Sequence, residues 1–332
     1  MKIKTNPVQL ASKGYYGIKV FKEDGTEVLE KRVEKVDNVV TFTGAYYLFF
    51  ESRPTVTMFC AVGTGTVERT RTSTSLDNQT YRSSFFRGAP RSGELDNGDG
   101  TSTINFSRTY DLPLGGVVGT ISEVGLVASS SDLIAGQLIK DEFGSPTTIT
   151  ILSDEQLVIT YELELTFPNG EVAVSPIVGS GSVTTPRGTT AYTLYAQPFY
   201  TNYPLNGEDD LTTTRDSRNY YVSKGSNGTT TIGEMQASIS KSTSLDSNGV
   251  VNVDYQAATA SPSDFNSTDI KFILLGNSQY DYYTDVDTTT KLVQAHGSSS
   301  DACAPVVLEF DSPVTKLDSE SFIIRASAVF QI

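Results

Sequence analysis

Apolar residues in this chain recur at every second position and almost never at the spacing of a helix. In "YYGIKVFKEDGTEVLEKRVEKV", Tyr16, Ile18 and Val20 alternate with smaller or polar residues, Asp24-Gly25 supplies a turn, and the apolar pattern resumes at Val28. Successive strand side chains point to opposite faces, so this pattern is that of a half-buried hairpin. "TVTMFCAVG", "GTISEVGLVAS", "GQLIKDEF" and "QLVITYELELTF" read as further strands, and "ELDNGDGTSTINFSRTYDL" as a turn followed by a strand from Thr103. "NVVTFTGAYYLFF" fits either a strand or a short helix. No segment carries an apolar stripe of period 3.6 over three turns. Sheets with one apolar face must bury it against another layer, and at about 150 residues per domain 332 residues make two domains. The expected fold is therefore all-β, with two antiparallel β-sandwich domains. Abundant Thr, Ser and Gly favour strands and turns, and 17 Tyr and 16 Phe give each domain the material for a core.

Three short blocks echo one another in order. "VGTGTVERTRTSTS" (62–75) resembles "VGSGSVTTPRGTTA" (178–191), "GTISEVGLVASS" (119–130) resembles "TDIKFILLGNSQ" (268–279), and "EFGSPTTITILSDEQLVITYELELTF" (142–167) resembles "EFDSPVTKLDSESFIIRASAVFQI" (309–332). Such an ordered set reads as a divergent internal duplication, the alternative being two unrelated β domains with similar strand chemistry. The boundary is then near 167: residues 1–167 form an N-terminal sandwich with a hairpin or arm, and 168–332 a C-terminal sandwich with inserted loops near 198–228 and 279–301.

The Gly63-x-Gly65 stretch raises a nucleotide site and then excludes it. A dinucleotide fingerprint needs a third glycine and a following helix, and a phosphate loop needs Gly-Lys-Ser/Thr; "GTGTVERTRTS" has neither. Glycines on one face of a strand instead permit a bulge or the close approach of another backbone. The acid clusters are weak as metal sites: Asp96 and Asp99 lie in a hairpin turn lacking the calcium-loop series, and Glu208, Asp209, Asp210, Asp281, Asp285 and Asp287 sit in solvated loops. His296 is the single histidine, in a loop, with no nucleophile elbow in the sequence. No catalytic, cofactor or metal site is expected. Cys60 and Cys303 read as buried small residues rather than a bridge, since no disulfide framework and no signal-peptide apolar region are present. A net charge of −14 disfavours direct nucleic-acid binding, and no apolar run is long enough for a membrane helix. The basic spots at Arg69, Arg71, Arg87 and Arg91 are expected to pair with acids on a neighbouring subunit. Tyr280, Tyr282 and Tyr283 could anchor a protein or a glycan.

The order of motifs from 36 to 167 resembles a group of bacteriophage virion proteins labelled tail, tail-fibre or minor structural proteins. Their pattern is N-[LV]-[IV]-T-x-x-G, then V-G-T-G-T, then a polar stretch, I-x-E-[VI]-G-L, and a final [IV]-T-Y-x-L. The matching positions are Val39, Thr41 and Gly44; Val62, Gly63, Gly65 and Thr66; Ile121, Glu123, Val124, Gly125 and Leu126; and Ile159, Thr160, Tyr161 and Leu163. The match departs at "NVVTFTG", where a more polar turn is usual, and the second half joins it only through the internal echo. The resemblance implies a non-enzymatic virion subunit made in the host bacterial cytoplasm. It would be present in several copies and bind copies of itself and other tail, collar, baseplate or fibre subunits. A head-decorating or head-fibre protein and a glycan-binding adhesin are the alternatives. Val62, Gly63, Gly65, Glu123, Gly125, Tyr282 and Tyr283 are the expected structural or interface residues.

Overall fold

In the computed structural model, residues 8–50, 58–99, 101–128, 130–168, 177–185, 187–196, 218–224, 230–235, 237–259, 267–278, 283–286, 293–295, 303–316 and 323–332 are described. The chain is nearly all β. Its first half contains β1 (Val8–Gln9), β2 (Ala11–Lys22), β3 (Val33–Val40), the helix α1 (Phe42–Phe50), β4 (Phe59–Gly63), β5 (Gln79–Ser83), β6 (Phe86–Asp96), β7 (Thr101–Leu112), β8 (Gly119–Ile121), β9 (Glu123–Val127), β10 (Leu133–Leu138), β11 (Ile149–Ile151) and β12 (Glu155–Pro168).

Nine of these strands form one antiparallel sheet in the order β5-β4-β9-β10-β3-β2-β12-β7-β6. The sheet curls so that its two arms face each other. Tyr16, Ile18 and Val20 of β2, Tyr110 and Leu112 of β7, and Leu157, Ile159, Tyr161 and Leu163 of β12 meet Cys60 and Val62 of β4 and Val124 and Leu126 of β9. Period-two alternation in β2 and β12 places these residues on the inner face. The Asp24-Gly25 hairpin forms as expected: Gly25 has φ +82 and Asp24 Oδ1 accepts the Thr26 N–H at 2.9 Å. A 3₁₀ turn, Leu29–Lys31, interrupts the hairpin before β3 begins. "NVVTFTGAYYLFF" divides between the two readings, giving β3 up to Val40 and helix from Phe42.

The second half contains β13 (Ile177–Thr185), β14 (Gly188–Ala196), β15 (Arg218–Lys224), β16 (Thr230–Met235), β17 (Ala237–Leu245), β18 (Val250–Thr259), β19 (Ser267–Ser278), β20 (Tyr283–Val286), β21 (Val293–Ala295), β22 (Cys303–Lys316) and β23 (Ile323–Gln331). A six-stranded sheet, β13-β14-β22-β19-β15-β16, packs on a four-stranded sheet, β1-β23-β18-β17. Their close approach is marked by the Tyr192 hydroxyl donating to Arg325 O at 2.8 Å, and by Gly179, where a Cβ would lie 2.3 Å from Ser327 O.

The N-terminal segment does more than extend the first domain. β1 runs parallel to β23, with Val8 opposite Phe330, so β1 belongs to the C-terminal sandwich while β2, which follows it, lies in the nine-stranded sheet. Phe42 at the start of α1 lies against Gly249, and the buried apolar cluster runs unbroken from Leu10 and Val40 to Phe330 and Ile332. The first sequence echo is not matched by the pairing, and the third is matched only in part. Gly63 ends β4, which is bonded to β9, whereas Gly179 and Gly181 sit inside β13, bonded to β14. Glu142–Pro146 is a loop, while Glu309–Pro313 lies within β22. The strand order nevertheless repeats: β5-β4-β9-β10-β3-β2-β12-β7-β6 of the first half corresponds strand for strand, in chain order, to β16-β15-β19-β22-β14-β13 and β23-β18-β17 of the second, which sets β9 against β19 and β12 against β23 as the second and third echoes do.

Candidate functional site

Glu123, the first residue of β9, is fully buried. A buried carboxylate is tolerated only where hydrogen bonds replace water. Here the Gly65, Asp77 and Asn78 backbone N–H groups donate to it, at 3.1 and 2.7 Å to Oε1 from Gly65 and Asn78 and at 3.0 Å to Oε2 from Asp77. The neighbouring Ser122 works from the other side: its hydroxyl donates to Gly65 O at 2.6 Å and its N–H to Gly63 O. This explains both glycines. A Cβ on Gly63 would lie 2.3 Å from Asn78 O and 2.4 Å from Glu123 Oε1, and one on Gly65 2.5 Å from the Asp77 side chain and 2.6 Å from the Glu123 carboxyl. Neither glycine has a positive φ, so the requirement is for space. The expected bulge is present as a register shift between Val62 and Gly63 in the β4–β5 ladder.

The same stretch disposes of phosphate binding in geometric terms. Three successive N–H groups that could form an anion nest already have acceptors. Thr64 donates to Asn78 O, Gly65 to Glu123, and Thr66 to Asp77 Oδ2. Gly63 and Gly65 are enclosed by their own subunit, and β4 is an interior strand between β5 and β9. Of the structural and interface roles open to them, the geometry describes the structural one: both make room within the fold.

Residues 64–78, polar in sequence, form a folded strap over the outer face of β9 and β10. Leu76 is buried with Ala61, Val127 and Leu133 on that face, and a Cβ on Gly125 would lie 2.9 Å from Leu76. Both faces of β9 and β10 are therefore covered, which is why both strands are buried at every position and are largely apolar, Glu123 and Gln137 excepted. Arg69 stitches the strap, its guanidinium donating to Val67 O and Ser75 O. Arg71 lies over the Phe42 ring, 4.7 Å from its centre. Arg87 pairs with Asp111 at 3.1 Å. The expectation that Arg69, Arg71 and Arg87 serve a neighbouring subunit is thus corrected for these three, which are used within the chain; the Arg91 side chain lies outside the described residues.

The N-terminal motif closes the unit. Thr41 Oγ1 accepts the Gly44 N–H at 2.9 Å, capping α1, and donates to Leu133 O. A Cβ on Gly44 would lie 2.0 Å from Ile134 O, so the helix rests directly on the β10 backbone. The last motif supplies the core: Tyr161 and Tyr110 pack edge to face, with ring centres 6.3 Å apart. Thr109 and Thr160 share a cross-strand hydroxyl contact at 2.9 Å on the other face. Burial pushes the Tyr16 phenol up to about 12, against the opposing effect of the Lys140 N–H that it accepts, and raises Tyr110 and Tyr161 as well. Cys60 is a free, buried thiol whose pKa burial also drives up.

A second buried carboxylate, Glu155, accepts Lys31 Nζ on both oxygens, at 2.7 and 2.6 Å, and the Leu152 N–H at 2.8 Å. Burial alone would raise its pKa, but Lys31 and the Leu152 N–H outweigh that and hold it below the usual carboxylate range. Both buried acids thus fasten loops. Nothing in the sequence singled out Glu155; the signal available was its place between a turn and a strand. Asp99 accepts the Thr101 N–H and hydroxyl, as expected of a hairpin turn. Tyr280, Tyr282, His296, Glu208, Asp209, Asp210, Asp281 and Asp287 lie outside the described residues, and of Tyr283 only the backbone is placed, at the start of β20 opposite Ala295. No known protein family matches the chain, and no curated protein or solved structure shows significant similarity to it.

Proposed function

We propose that this protein is a non-enzymatic bacteriophage virion subunit, a multicopy component of the tail or adsorption apparatus acting through contacts with other subunits. The observation that carries this reading is that the motif positions behave as one unit. Thr41 and Gly44 seat α1 on β10, Gly63 and Gly65 make room for Glu123, Gly125 receives the strap, and Tyr161 fills the core beneath them. A resemblance confined to scattered letters would have no such reason to converge. The two buried carboxylates have their oxygens bound by backbone N–H groups or by Lys31, which suits structural parts better than acid–base chemistry. Large side chains remain on the surface, among them Phe143 at 83% exposure and Phe85 at 70%, as anchors for subunit contacts.

Immunogold electron microscopy of particles, with antibody raised against this chain, tests the proposal. Label at the tail or its junction with the head is expected. Label distributed over the head would replace the tail assignment with the head-decorating one, and particles without label would overturn the virion reading.

A further inference from the structure

Two exposed apolar patches of opposite charge lie on the N-terminal sandwich. The first occupies the end of the sandwich remote from α1 and β1. There β2, β10 and β7 finish and β3 and β12 begin, and the connecting loops lie together. Glu23 N–H bonds to Asp154 O, Gly115 N–H to Glu155 O, and Lys31 to the Glu155 carboxylate. Gly119 pairs with Ile151, which brings Val118 opposite Leu152 one step further along the ladder. Leu29, Leu114, Val118 and Leu152 are all exposed around this point, and Phe143 projects from the adjoining loop. That loop is pre-formed: Asp141 Oδ1 accepts the Phe143 and Ser145 N–H groups, both at 2.9 Å. The rim is acidic. Glu23, Asp24, Glu30, Glu142 and Asp154 make no ion pair among the described residues, whereas Lys31, Arg32 and Lys140 are already engaged with Glu155, Glu27, Glu34 and Glu68; exposed Lys22 beside Glu23 offsets one of the five free acids and leaves the rim negative.

The second patch is the corner where the chain passes from β5 to β6 across the open seam of the curled sheet. Phe85 and Phe86 are exposed there. Arg108 lies over the Phe86 ring at 4.7 Å and Arg82 over the Phe59 ring at 4.7 Å, and neither has a carboxylate partner among the described residues. Arg87, beside them, has one in Asp111. This corner is apolar with a basic rim.

We propose that copies of this chain associate end to side, the acid-rimmed apolar end of one subunit docking on the Phe85–Phe86 corner of the next. Two copies of the acidic end would set like charges against each other, so a two-fold end-to-end contact is disfavoured, while the end and the corner complement one another in charge and share an apolar centre. Such a contact uses different surfaces on the two partners, and so propagates into a closed ring or a filament. The inference rests on the reading of the protein as a subunit that acts through contacts with its own copies.

Complementation between two variants of the full chain tests it. Val118→Glu with Leu152→Glu disables the end, and Phe85→Ser with Phe86→Ser disables the corner. Arg82→Glu alone is a second corner variant that keeps both rings, should loss of Phe86 disturb folding. By sedimentation velocity the wild type is expected to be oligomeric, and each variant alone monomeric with an unchanged circular dichroism spectrum. An equimolar mixture of end and corner variants should give dimers, since one intact end and one intact corner remain. An oligomer that survives both pairs of substitutions would overturn this contact while leaving self-assembly standing. Two monomeric variants that stay monomeric when mixed would overturn the end-to-side pairing. A wild type monomeric at about 100 µM would overturn the contact outright, and the virion reading would then stand or fall on particle labelling.

Discussion

Glu123 shows how one buried charge can dictate the residues around it. Its three backbone donors come from the two ends of the strap, Gly65 at its start and Asp77 and Asn78 at its return, so the carboxylate ties both ends of the strap to β9. Glu123→Ala leaves three buried N–H groups without acceptors and should cost at least about 3 kcal/mol in urea unfolding. Glu123→Gln keeps the shape but turns an amide N–H₂ toward a donor, and should cost about 1–2 kcal/mol. Gly65→Ala should be comparably damaging in the wild type and milder beside Glu123→Ala, because part of its clash is with the carboxyl itself. A double-mutant cycle should therefore show coupling of about 1 kcal/mol or more. Additive costs would mean that Gly65 answers to Asp77 alone.

Among elements, α1 and the Leu29–Lys31 turn depend on single polar contacts. Thr41→Ala removes the N-cap of α1 and should lower stability by about 1 kcal/mol, measured by thermal unfolding. Lys31→Met strands the Glu155 carboxylate, and its cost should depend on pH. A carboxyl with a depressed folded pKa contributes stability above its unfolded value and loses it as pH falls through the folded one. The variant should thus be about 2 kcal/mol less stable at neutral pH and approach the wild type as pH falls through the depressed folded value of Glu155. At this scale the strands were legible in the sequence because period-two alternation reports the inner face directly. The Asp24-Gly25 turn was legible because few other dipeptides make it. The strap was not legible: Thr, Ser and Arg over 64–75 look like solvent-exposed loop, and only Leu76 hints that the segment is packed. Its order comes from Arg69, whose donors meet carbonyls within the loop, a contact with no periodicity to reveal it.

For the whole molecule, two sandwiches share one continuous core, sealed by β1 on β23 and by Phe42 on Gly249. Parallel pairing between the first and last strands is a long-range event without local signal, so the sequence suggested only an arm on the first domain. Glu123 and its glycines stand out in the sequence, yet their partners Asp77 and Asn78 are distant in sequence from Glu123, and their packing role could be assigned only once the fold brought them together. Three phenols in the core should also shape the alkaline limit. A tyrosine whose folded pKa is raised is stabilising below its unfolded value near 10 and loses that contribution as pH climbs toward about 12 for Tyr16. Circular dichroism should therefore report unfolding above about pH 10, with phenolate absorbance of the buried rings appearing together with it rather than before it. At the largest scale the central claim is that this chain is a structural part of a particle. Quantitative mass spectrometry across a density gradient of purified phage tests it most directly. The account predicts that the chain bands with the major capsid protein at a fixed ratio corresponding to several copies per particle. Recovery only in the soluble fractions, with none in the particle band, would contradict it.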